Sequence, residues 1–414
     1  MSNSCDVAVI GAGAAGFFAA IRAAQRGLHT LLLEKNRKPA VKILMSGGTR
    51  CNLTQATDRR GIVEAFGRQG KFLHSALSLL GPDELITLFD SAGVPTKVEP
   101  TGKVFPVSNR AVDVAAAVVQ MLDRSGAQLR LESPVTQLDQ TDAGFVIQTN
   151  HETIQAANVI LTTGGQSYPG CGTTGDGYAW AKQLGHKIIP PRPALVPLLS
   201  DDRWVQELRG VTVPDVEVRI IDSDQLNKKP LDTRRGSFLF THFGLSGPAV
   251  MDASQAVTAR PDAGSWQAVC DFLPARNSEQ LTTELATTNK LSLGNVVSEW
   301  LPRRLVEALL IQAEIPYDQR LAELSKRART KLLAALKKTP ISIRGSQGFK
   351  KAEVTAGGVD LREVDSSTMQ SKICPQLYLA GEILDLDGPI GGYNFQSAFS
   401  TGWLAGEKVQ TTEN

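Results

Sequence analysis

The first ninety residues alternate short apolar runs with stretches of helical periodicity, a pattern typical of the strands and helices around a parallel sheet. Residues 6–10 (DVAVI) predict a buried strand, residues 17–26 an Ala-rich helix, and residues 30–33 a second strand. A turn rich in glycine separates the first strand from the helix. This order of elements forms one mononucleotide-binding unit, so the sequence predicts an α/β fold with a Rossmann-like domain.

The rest of the pattern predicts further domains inserted into the Rossmann-like one. Three prolines among residues 190–193 cannot continue a helix or a central strand, and alternating apolar positions after them predict half-buried strands. From Ser278 the apolar period becomes helical, and after Gly345 it returns to short strand-like runs. The predicted organisation is the first part of the nucleotide-binding domain at 1–190, a β-barrel-like inserted domain at 191–275, a basic helical domain at 276–340 and a return to the nucleotide-binding domain at 341–414.

The composition is that of an ordinary globular protein. Of 414 residues, 42% are hydrophobic and 21% are charged, which excludes collagen, coiled coil and extensive disorder. Five scattered cysteines without a CxxC pair argue against a disulfide framework and against a zinc site, so no metal is expected. No apolar run approaches the roughly 18 residues that span a bilayer, and the first strand begins too early to follow a cleaved signal peptide. We therefore expect a cytoplasmic protein with no membrane partner, and nothing in the sequence specifies its oligomeric state.

Positive charge is concentrated in one segment. The formal net charge is only +2, but residues 303–351 contain twelve Lys and Arg against four Asp and Glu, so the rest of the chain is net negative. Much of this charge lies on a predicted helix whose other face carries leucines. Such a segment suits the phosphates of a nucleic acid, although a solvated helix face has the same composition. The candidate RNA-binding residues are Lys326, Arg327, Arg329, Lys331, Lys337 and Lys338.

The turn after the first strand has the spacing of a dinucleotide-binding motif. Gly11, Gly13 and Gly16 form GxGxxG between a strand and a helix, and Glu34 follows the second strand. The first glycine permits a tight turn, the second lets backbone amides approach a pyrophosphate, and the third lets the helix pack on the strand. Glu34 would accept hydrogen bonds from a ribose. The alternative is a glycine-rich turn that binds no ligand.

Glycines near the C-terminus favour a flavin over a nicotinamide. Gly381 and Glu382 end a late strand, and the doublet Gly391–Gly392 opens a final helix whose N–H groups would stabilise negative charge on a reduced flavin. A nicotinamide dehydrogenase needs no such C-terminal segment at its cofactor. The alternative is that the glycine doublet only lets two elements pack closely. Residues 42–52 form a basic, glycine-containing loop placed to cross the cofactor. No second strand–GxGxxG–helix unit occurs, so the sequence does not predict a nicotinamide site built like the first.

These motifs together resemble one family. The runs GAGAAG, LLLEK, KILMSGGTRCNLT, VILTTGGQSYPGCGTTGDG, THFGLSGPA and LYLAGEILDLDGPIGGYNFQSAFSTGWLAG are similar to those of a bacterial family of two-domain flavoproteins with an inserted barrel and helical domain. Members of that family are described as aminoacetone oxidase-like enzymes, bile-acid-pathway reductases and ribosomal RNA dihydrouridine synthases. The resemblance covers nearly the whole chain.

The resemblance implies an FAD bound by the N-terminal segment and the C-terminal return, with Glu34 on the adenosine ribose. It also implies NADPH or NADH as the reductant. The candidate cofactor-binding residues are Gly11, Gly13, Ala14, Ala15, Gly16, Glu34, Lys35, Lys42, Ser46, Gly47, Asn52, Val135, Gly164, Gly381, Glu382, Gly391, Gly392 and Asn394.

The resemblance and the basic segment together favour one flavin reaction. A uridine of large-subunit ribosomal RNA would accept a hydride and a proton across its C5=C6 bond, with ribosomal RNA or a large-subunit assembly particle as the partner. The same chemistry reduces any enone, so the alternatives are a small-molecule reductase or oxidase and a non-catalytic flavin-containing RNA-binding factor. The candidate proton donors are Tyr168, Cys171 and His242. For Cys171 and His242 an ordinary structural role is the alternative.

Overall fold

Buried apolar strands organise the chain into two units, each with its own hydrophobic core. The computed structural model describes residues 4–223, 229–260, 265–286 and 292–410. The first unit comprises Met1–Arg192 and Val354–Asn414, and the second comprises Pro193–Glu353.

The chain up to residue 194 contains ten strands and seven helices among its described residues, with short 3-10 helices at Gln69–Leu73 and Pro169–Cys171. In chain order they are β1 (Ser4–Ile10), α1 (Ala14–Gln25), β2 (Thr30–Leu33), α2 (Val41–Thr49), β3 (Thr54–Gln55), α3 (Arg59–Ala65), α4 (His74–Leu79), α5 (Pro82–Ser91), β4 (Thr96–Val98), β5 (Lys103–Pro106), α6 (Ala111–Ser125), β6 (Gln128–Arg130), β7 (Val135–Thr141), β8 (Gly144–Thr149), β9 (Thr153–Leu161), α7 (Asp176–Gln183) and β10 (Ile188–Ala194).

The second unit and the return to the first follow, with further 3-10 helices at Leu321–Glu323 and Leu361–Glu363. The second unit contains β11 (Leu198–Leu199), α8 (Arg203–Glu207), β12 (Thr212–Asp222), β13 (Asp232–Thr241), β14 (Gly244–Ser246), α9 (Pro248–Ala253), α10 (Gln255–Thr258), β15 (Trp266–Asp271), α11 (Ser278–Glu284), α12 (Leu293–Ser298), α13 (Arg303–Gln312), α14 (Lys326–Lys337), β16 (Thr339–Ile343) and β17 (Gly345–Ser346). The return contains β18 (Val354–Val359), β19 (Leu377–Leu379) and α15 (Tyr393–Lys408).

The main sheet of the first unit has the order β6-β2-β1-β9-β8-β7, and β19 also pairs with β9. The pairs β6–β2, β2–β1, β1–β9 and β9–β19 are parallel, whereas β7, β8 and β9 pair antiparallel. β2 is buried along its whole length, as expected for a parallel strand covered on both faces. The predicted α/β Rossmann-like fold is therefore confirmed.

The C-terminal helix α15 packs directly on α1. Its Gly402 and Gly406 allow the close approach, because a Cβ atom there would lie 2.2 Å from the carbonyl oxygen of Ala15 and 2.3 Å from that of Ala19. Aromatic rings extend the contact, with the centroids of Phe18 and Phe399 4.5 Å apart. The C-terminal helix α15 is thus part of the same core as the first strand and helix.

The second unit differs in two respects from the predicted division into a barrel-like and a helical domain. Its strands and helices share one core, in which Phe240 of β13 and Leu332 of α14 are both fully buried. Its seven-stranded sheet has the order β16-β15-β12-β13-β14-β11-β17. Because β16 pairs with β15, with Ile341 opposite Ala268, the chain stays in this unit until Glu353 instead of leaving it at residue 340.

Candidate functional site

The glycine-rich turn between β1 and α1 is tightly packed on one side and open on the other. The hydroxyl of Thr162 lies 2.9 Å from the carbonyl oxygens of both Ile10 and Gly11. A Cβ atom at Gly16 would lie 1.8 Å from the Gly11 carbonyl oxygen, whereas one at Gly13 would meet nothing within 4 Å. The N-terminus of α1, which includes Ala14 and Ala15, therefore begins beside open space, where its amides can receive an anion.

Glu34 is held at the carboxyl end of β2. It is buried, and its carboxylate accepts hydrogen bonds from the backbone N–H of Ala12 and of Asn36, both at 2.9 Å. A carboxylate has about four acceptor positions, so capacity for a ribose hydroxyl remains. The next residue, Lys35, donates to Thr174 Oγ1 at 2.7 Å and forms an ion pair with Asp176.

Lys42, near the start of α2, belongs to a polar cluster that joins four segments of the chain. Its ammonium group donates to Ser167 Oγ at 2.7 Å and forms an ion pair with Glu382. Ser167 Oγ in turn donates to Glu382 Oε1 at 2.7 Å, and the backbone N–H of Thr355 donates to the same oxygen at 2.8 Å. Ser167 and Thr355 were not among the sequence-based candidates, because nothing in the sequence relates β18 to the loop after β9.

Ser46, Gly47 and Asn52 lie together where the regular geometry of α2 breaks. Ser46 has ψ 153°, and Gly47 has φ +55°, a left-handed conformation that favours glycine. The backbone nitrogen of Asn52 is 3.1 Å from where a Cβ atom on Gly47 would stand. The side-chain oxygen of Asn52 is buried and has no hydrogen-bond partner among the described residues. A buried acceptor of this kind is costly unless something donates to it.

The C-terminal segment of the first unit also reaches the carboxyl ends of the parallel strands. Gly381 follows β19, and a Cβ atom there would lie 2.8 Å from that of Ala15 in α1. Gly392 is the N-cap of α15, and its own Cβ would lie 2.5 Å from the Thr54 backbone, so close packing constrains this glycine. Asn394 bonds to the backbone N–H and carbonyl oxygen of Gly388, at 2.8 and 2.9 Å. Its amide therefore orders the loop before α15.

The remaining predicted cofactor-binding residues are Gly164, Gly391 and Val135. Gly164 has φ +73°, and its Cβ would lie 2.7 Å from Thr173 Cγ2. Gly391 has φ +138°, a conformation that L side chains rarely adopt. Val135 is the first residue of β7 and is paired with Thr149.

Two of the three candidate proton donors, Tyr168 and Cys171, lie at the two ends of one 3-10 helix of the first unit, and the third, His242, belongs to the second unit. Cys171 lies at the end of a 3-10 helix, with its Sγ 3.1 Å from Met45 Sδ. Burial raises the pKa of the Cys171 thiol, while the positive charge of Lys42 acts in the opposite direction. Tyr168 precedes the same helix with φ +54°. His242 is exposed on the turn between β13 and β14, in the second unit.

A cleft of about 470 Å³ next to Cys171 is lined by Asn36, Arg37, Lys38, Val41, Gly170 and Cys171.

The residues of the first unit fit an FAD. The open amides of α1, the Glu34 carboxylate and the loops after β9 and β19 all lie at the carboxyl ends of parallel strands, where doubly wound sheets bind ligands. Two buried acceptors without partners in the described part of the chain, Asn52 Oδ1 and Thr163 Oγ1, lie in the segments that follow α2 and β9. A ligand with N–H and O–H donors satisfies such atoms.

The candidate RNA-binding residues on and after α14 do not form one uniform surface. Lys326, Arg327 and Lys338 are exposed. Lys331 forms an ion pair with Glu314. Arg329 is partly buried, and its Nε has no hydrogen-bond partner within the described residues.

Lys337 is a structural residue, not the free phosphate ligand that the sequence predicted. Its ammonium group lies 2.6 Å from Asp271 Oδ2, and it donates to the carbonyl oxygens of Leu273 and Arg276 at 2.8 and 2.6 Å. The side chains of Lys337 and Asp271 are only 13% and 8% exposed. The ion pair thus joins the end of α14 to the end of β15.

We expect Lys337→Met to lower the free energy of unfolding by about 3 kcal/mol, because it leaves the carboxylate of Asp271 buried without its partner. The matched control is Lys338→Met at the exposed neighbouring position, which should change that free energy by less than about 0.5 kcal/mol. Urea denaturation of the two variants measures the difference. Equal destabilisation by both would contradict the structural role of Lys337.

Comparison with known families identifies the chain. The family described as HI0933-like protein Rossmann domain matches residues 5–408. The chain belongs to this family. This HI0933-like protein is 34% identical over 408 residues to the ribosomal RNA dihydrouridine synthase of Escherichia coli (strain K12), with 98% of each chain covered. It is also 32% identical over 407 residues to the 3-dehydro-bile acid delta(4,6)-reductase of Clostridium scindens (strain ATCC 35704 / DSM 5676 / VPI 13733 / 19), covering 97% of this chain and 98% of that one. The predicted family, and with it a flavin-dependent oxidoreductase, is confirmed.

Solved structures share the fold of the HI0933-like chain. The 3-ketosteroid-delta4-(5alpha)-dehydrogenase from Rhodococcus jostii RHA1, in complex with 4-androstene-3,17-dione, aligns with a TM-score of 0.54 and 15% identity over 98% of this chain and 96% of that one. The open conformation of a flavocytochrome c3 fumarate reductase aligns with a TM-score of 0.50 and 16% identity, covering 98% and 78%. At these identities the similarity concerns the fold alone.

Neither a membrane-spanning helix nor a metal cluster is found in the described part of the HI0933-like chain. No helix there is both long and apolar enough to cross a bilayer. Within the same ranges, no three His, Cys, Asp or Glu side chains are grouped so that they could hold a metal ion.

Proposed function

We propose that this protein reduces the C5=C6 bond of a uridine in large-subunit ribosomal RNA to dihydrouridine, with a bound FAD that NADPH or NADH reduces. The observation that carries the proposal is the 34% identity over 98% of both chains to a relative named ribosomal RNA dihydrouridine synthase. The similarity includes both the unit with the nucleotide-binding turn and the unit with the exposed cations. The proposed partner is ribosomal RNA or a large-subunit assembly particle.

Residues of the first unit would hold the FAD. The amides at the start of α1 would receive the pyrophosphate, Glu34 would accept a ribose hydroxyl, and Asn52 would accept a hydrogen bond through its buried amide oxygen. When bound and reduced, FAD supplies the hydride that adds to C6. The chain itself must hold the base, exclude water and deliver a proton to C5.

Exposed cations of the second unit would hold the RNA. Lys326, Arg327 and Lys338 are free to contact phosphates, which gives affinity that does not depend on sequence. A base must leave its stack before it can reach a flavin, which costs a few kcal/mol. Phosphate contacts offset that cost.

The proton for C5 comes from Cys171 in this proposal. Burial raises the pKa of the Cys171 thiol, so the thiol is protonated at neutral pH, and the positive charge of Lys42 favours the thiolate left behind. We expect Cys171→Ala to slow uridine reduction about 100-fold and to leave the rate of flavin reduction by NADPH unchanged. Stopped-flow absorbance separates these two steps.

The control for this prediction is Cys374→Ala, which removes another buried thiol of the same unit. It should leave both rates unchanged. Unaltered uridine reduction in Cys171→Ala would contradict the assignment and transfer the role to Tyr168 or His242, which Tyr168→Phe and His242→Ala then distinguish.

A second candidate function is the reduction of a small enone. It is favoured by the 32% identity, over nearly the full length of both chains, to a relative named 3-dehydro-bile acid delta(4,6)-reductase. The two candidates share hydride and proton addition across a carbon–carbon double bond conjugated to a carbonyl. They differ in whether exposed cations matter for the reaction.

An assay with purified components distinguishes them. The FAD-loaded protein is reduced with NADPH under anaerobic conditions and mixed either with large-subunit RNA that lacks dihydrouridine or with a steroid enone. The proposal expects dihydrouridine in the RNA, detected by mass spectrometry, and reoxidation of the flavin by RNA alone. Reoxidation by the enone without any dihydrouridine would contradict it.

A further inference from the structure

The ion pair between Lys42 and Glu382 lies at the carboxyl ends of the parallel strands of the first unit. Lys42 follows β2, Ser167 follows β9 and Glu382 follows β19, and these strands run parallel with β1 in the order β2-β1-β9-β19. The pair therefore lies at the carboxyl ends of the parallel strands, beside the turn that starts α1. This is the edge at which such sheets bind ligands.

The carboxylate of this pair is firmly held. Glu382 accepts hydrogen bonds from the Ser167 hydroxyl at 2.7 Å and from the Thr355 backbone N–H at 2.8 Å, besides its contact with Lys42. Ser167 is fully buried, and its hydroxyl touches both charged groups. Fixed charges in a partly dehydrated site act more strongly on their neighbours than charges in water do.

The ammonium group of Lys42 has capacity left. It carries three N–H donors, of which Ser167 and Glu382 take two, and the third has no partner within the described part of the chain. Its positive charge also acts on the neighbouring Cys171. Burial raises the pKa of the Cys171 thiol, and the charge of Lys42 lowers it. Lys42 is therefore a cation at the carboxyl ends of the parallel strands that is balanced by one carboxylate.

We propose that Lys42 and Glu382 form a charge-balanced pair that sets the reduction potential of the bound flavin, and that Ser167 is the positioning residue that holds the two charges together. The proposal rests on the flavin chemistry of the proposed function and not on its RNA substrate. Reduction increases the negative charge on the flavin ring, so a nearby cation favours the reduced form and a nearby carboxylate opposes it. Removal of either partner exposes the full effect of the other.

The test is the midpoint potential of the FAD-loaded protein, measured by equilibration with a reference dye in the absence of RNA. Lys42→Met is expected to lower the potential and Glu382→Gln to raise it, each changing the ratio of reduced to oxidised flavin about tenfold, or about 30 mV for a two-electron couple. The double variant is expected to return close to the wild-type value. Ser167→Ala, which keeps both charges, is expected to give a smaller shift.

The matched control is Arg22→Met. It breaks the ion pair between Arg22 of α1 and Glu407 of α15, whose side chains are 31% and 28% exposed, against 29% and 18% for Lys42 and Glu382. This control should leave the potential unchanged. If Lys42→Met does not retain FAD, Glu382→Gln and Ser167→Ala still decide the outcome.

Two results would overturn the proposal: shifts of Lys42→Met and Glu382→Gln in the same direction, or potentials equal to that of the wild type. Unshifted potentials in a protein that still reduces ribosomal RNA would refute the charge-balanced pair alone. Opposite shifts in a protein that forms no dihydrouridine would refute the RNA substrate alone.

Discussion

Gly16→Ala is expected to produce a protein that retains no FAD and whose free energy of unfolding is lower by about 3 kcal/mol. The new Cβ atom would lie 1.8 Å from the carbonyl oxygen of Gly11 and 2.8 Å from Thr162 Oγ1. The nearer of these atoms is backbone, so α1 would have to move away from β1. The amides proposed to receive the pyrophosphate would move with it. The ratio of FAD to protein after gel filtration and the urea denaturation of the apoprotein measure the two effects.

Gly13→Ala is the matched control for this prediction. A Cβ atom at Gly13 meets nothing within 4 Å, so the free energy of unfolding of the apoprotein should change by less than about 0.5 kcal/mol. Its methyl group would nevertheless occupy space that a pyrophosphate needs, and FAD affinity should fall by about tenfold, or 1.4 kcal/mol. Wild-type FAD affinity in Gly13→Ala would show that the pyrophosphate does not bind at this turn.

Simultaneous replacement of Lys326, Arg327 and Lys338 by Glu is expected to weaken the binding of large-subunit ribosomal RNA by about 1000-fold. Each of these exposed cations would otherwise displace counterions from the RNA, and each glutamate repels a phosphate. The absorption spectrum of the flavin and its reduction by NADPH should be unchanged, because all three residues lie in the second unit. Replacement by Gln should lower the dependence of log affinity on log salt concentration by about three.

The control is the same change of charge in the first unit. Lys71, Arg124 and Lys182 are exposed there, and their replacement by Glu alters the net charge equally. RNA affinity should then fall by less than about tenfold. An equal loss in both triple variants would mean that net charge, and not the surface formed by α14 and Lys338, determines RNA binding.

The nucleotide-binding turn was predictable from sequence because its determinants are local. The strand expected at residues 6–10 is found at Ser4–Ile10, and the strand expected at 30–33 is found at Thr30–Leu33. Apolar runs and glycine spacing fix these elements without reference to the rest of the chain. The GxGxxG spacing also locates the open start of α1.

The polar cluster around Lys42 was not predictable, because it depends on tertiary contacts. Lys42, Ser167, Thr355 and Glu382 come from four separate segments, and no periodicity links them. The same limit explains Lys337, which has the sequence context of a basic helix face but forms its ion pair with Asp271 on β15.

The second unit shows what an amphipathic pattern leaves undetermined. Such a pattern reveals that one face of a helix or strand is buried, but not against which partner. Two predicted domains consequently appear as one core in the structure. The prolines at 190–193 lie in β10, a strand that pairs only with β18 in a two-stranded sheet of the described residues, and the N-terminal part of the first unit ends at Arg192. An edge strand tolerates proline where a central strand does not.

The most direct test of the proposed function is the dihydrouridine content of large-subunit ribosomal RNA in the host, measured by mass spectrometry with and without the gene. Loss of dihydrouridine on deletion, its restoration by the plasmid-borne gene and no restoration by the Gly16→Ala variant are the results expected. An unchanged dihydrouridine content in the deletion strain would contradict the RNA reaction and favour the reduction of a small enone.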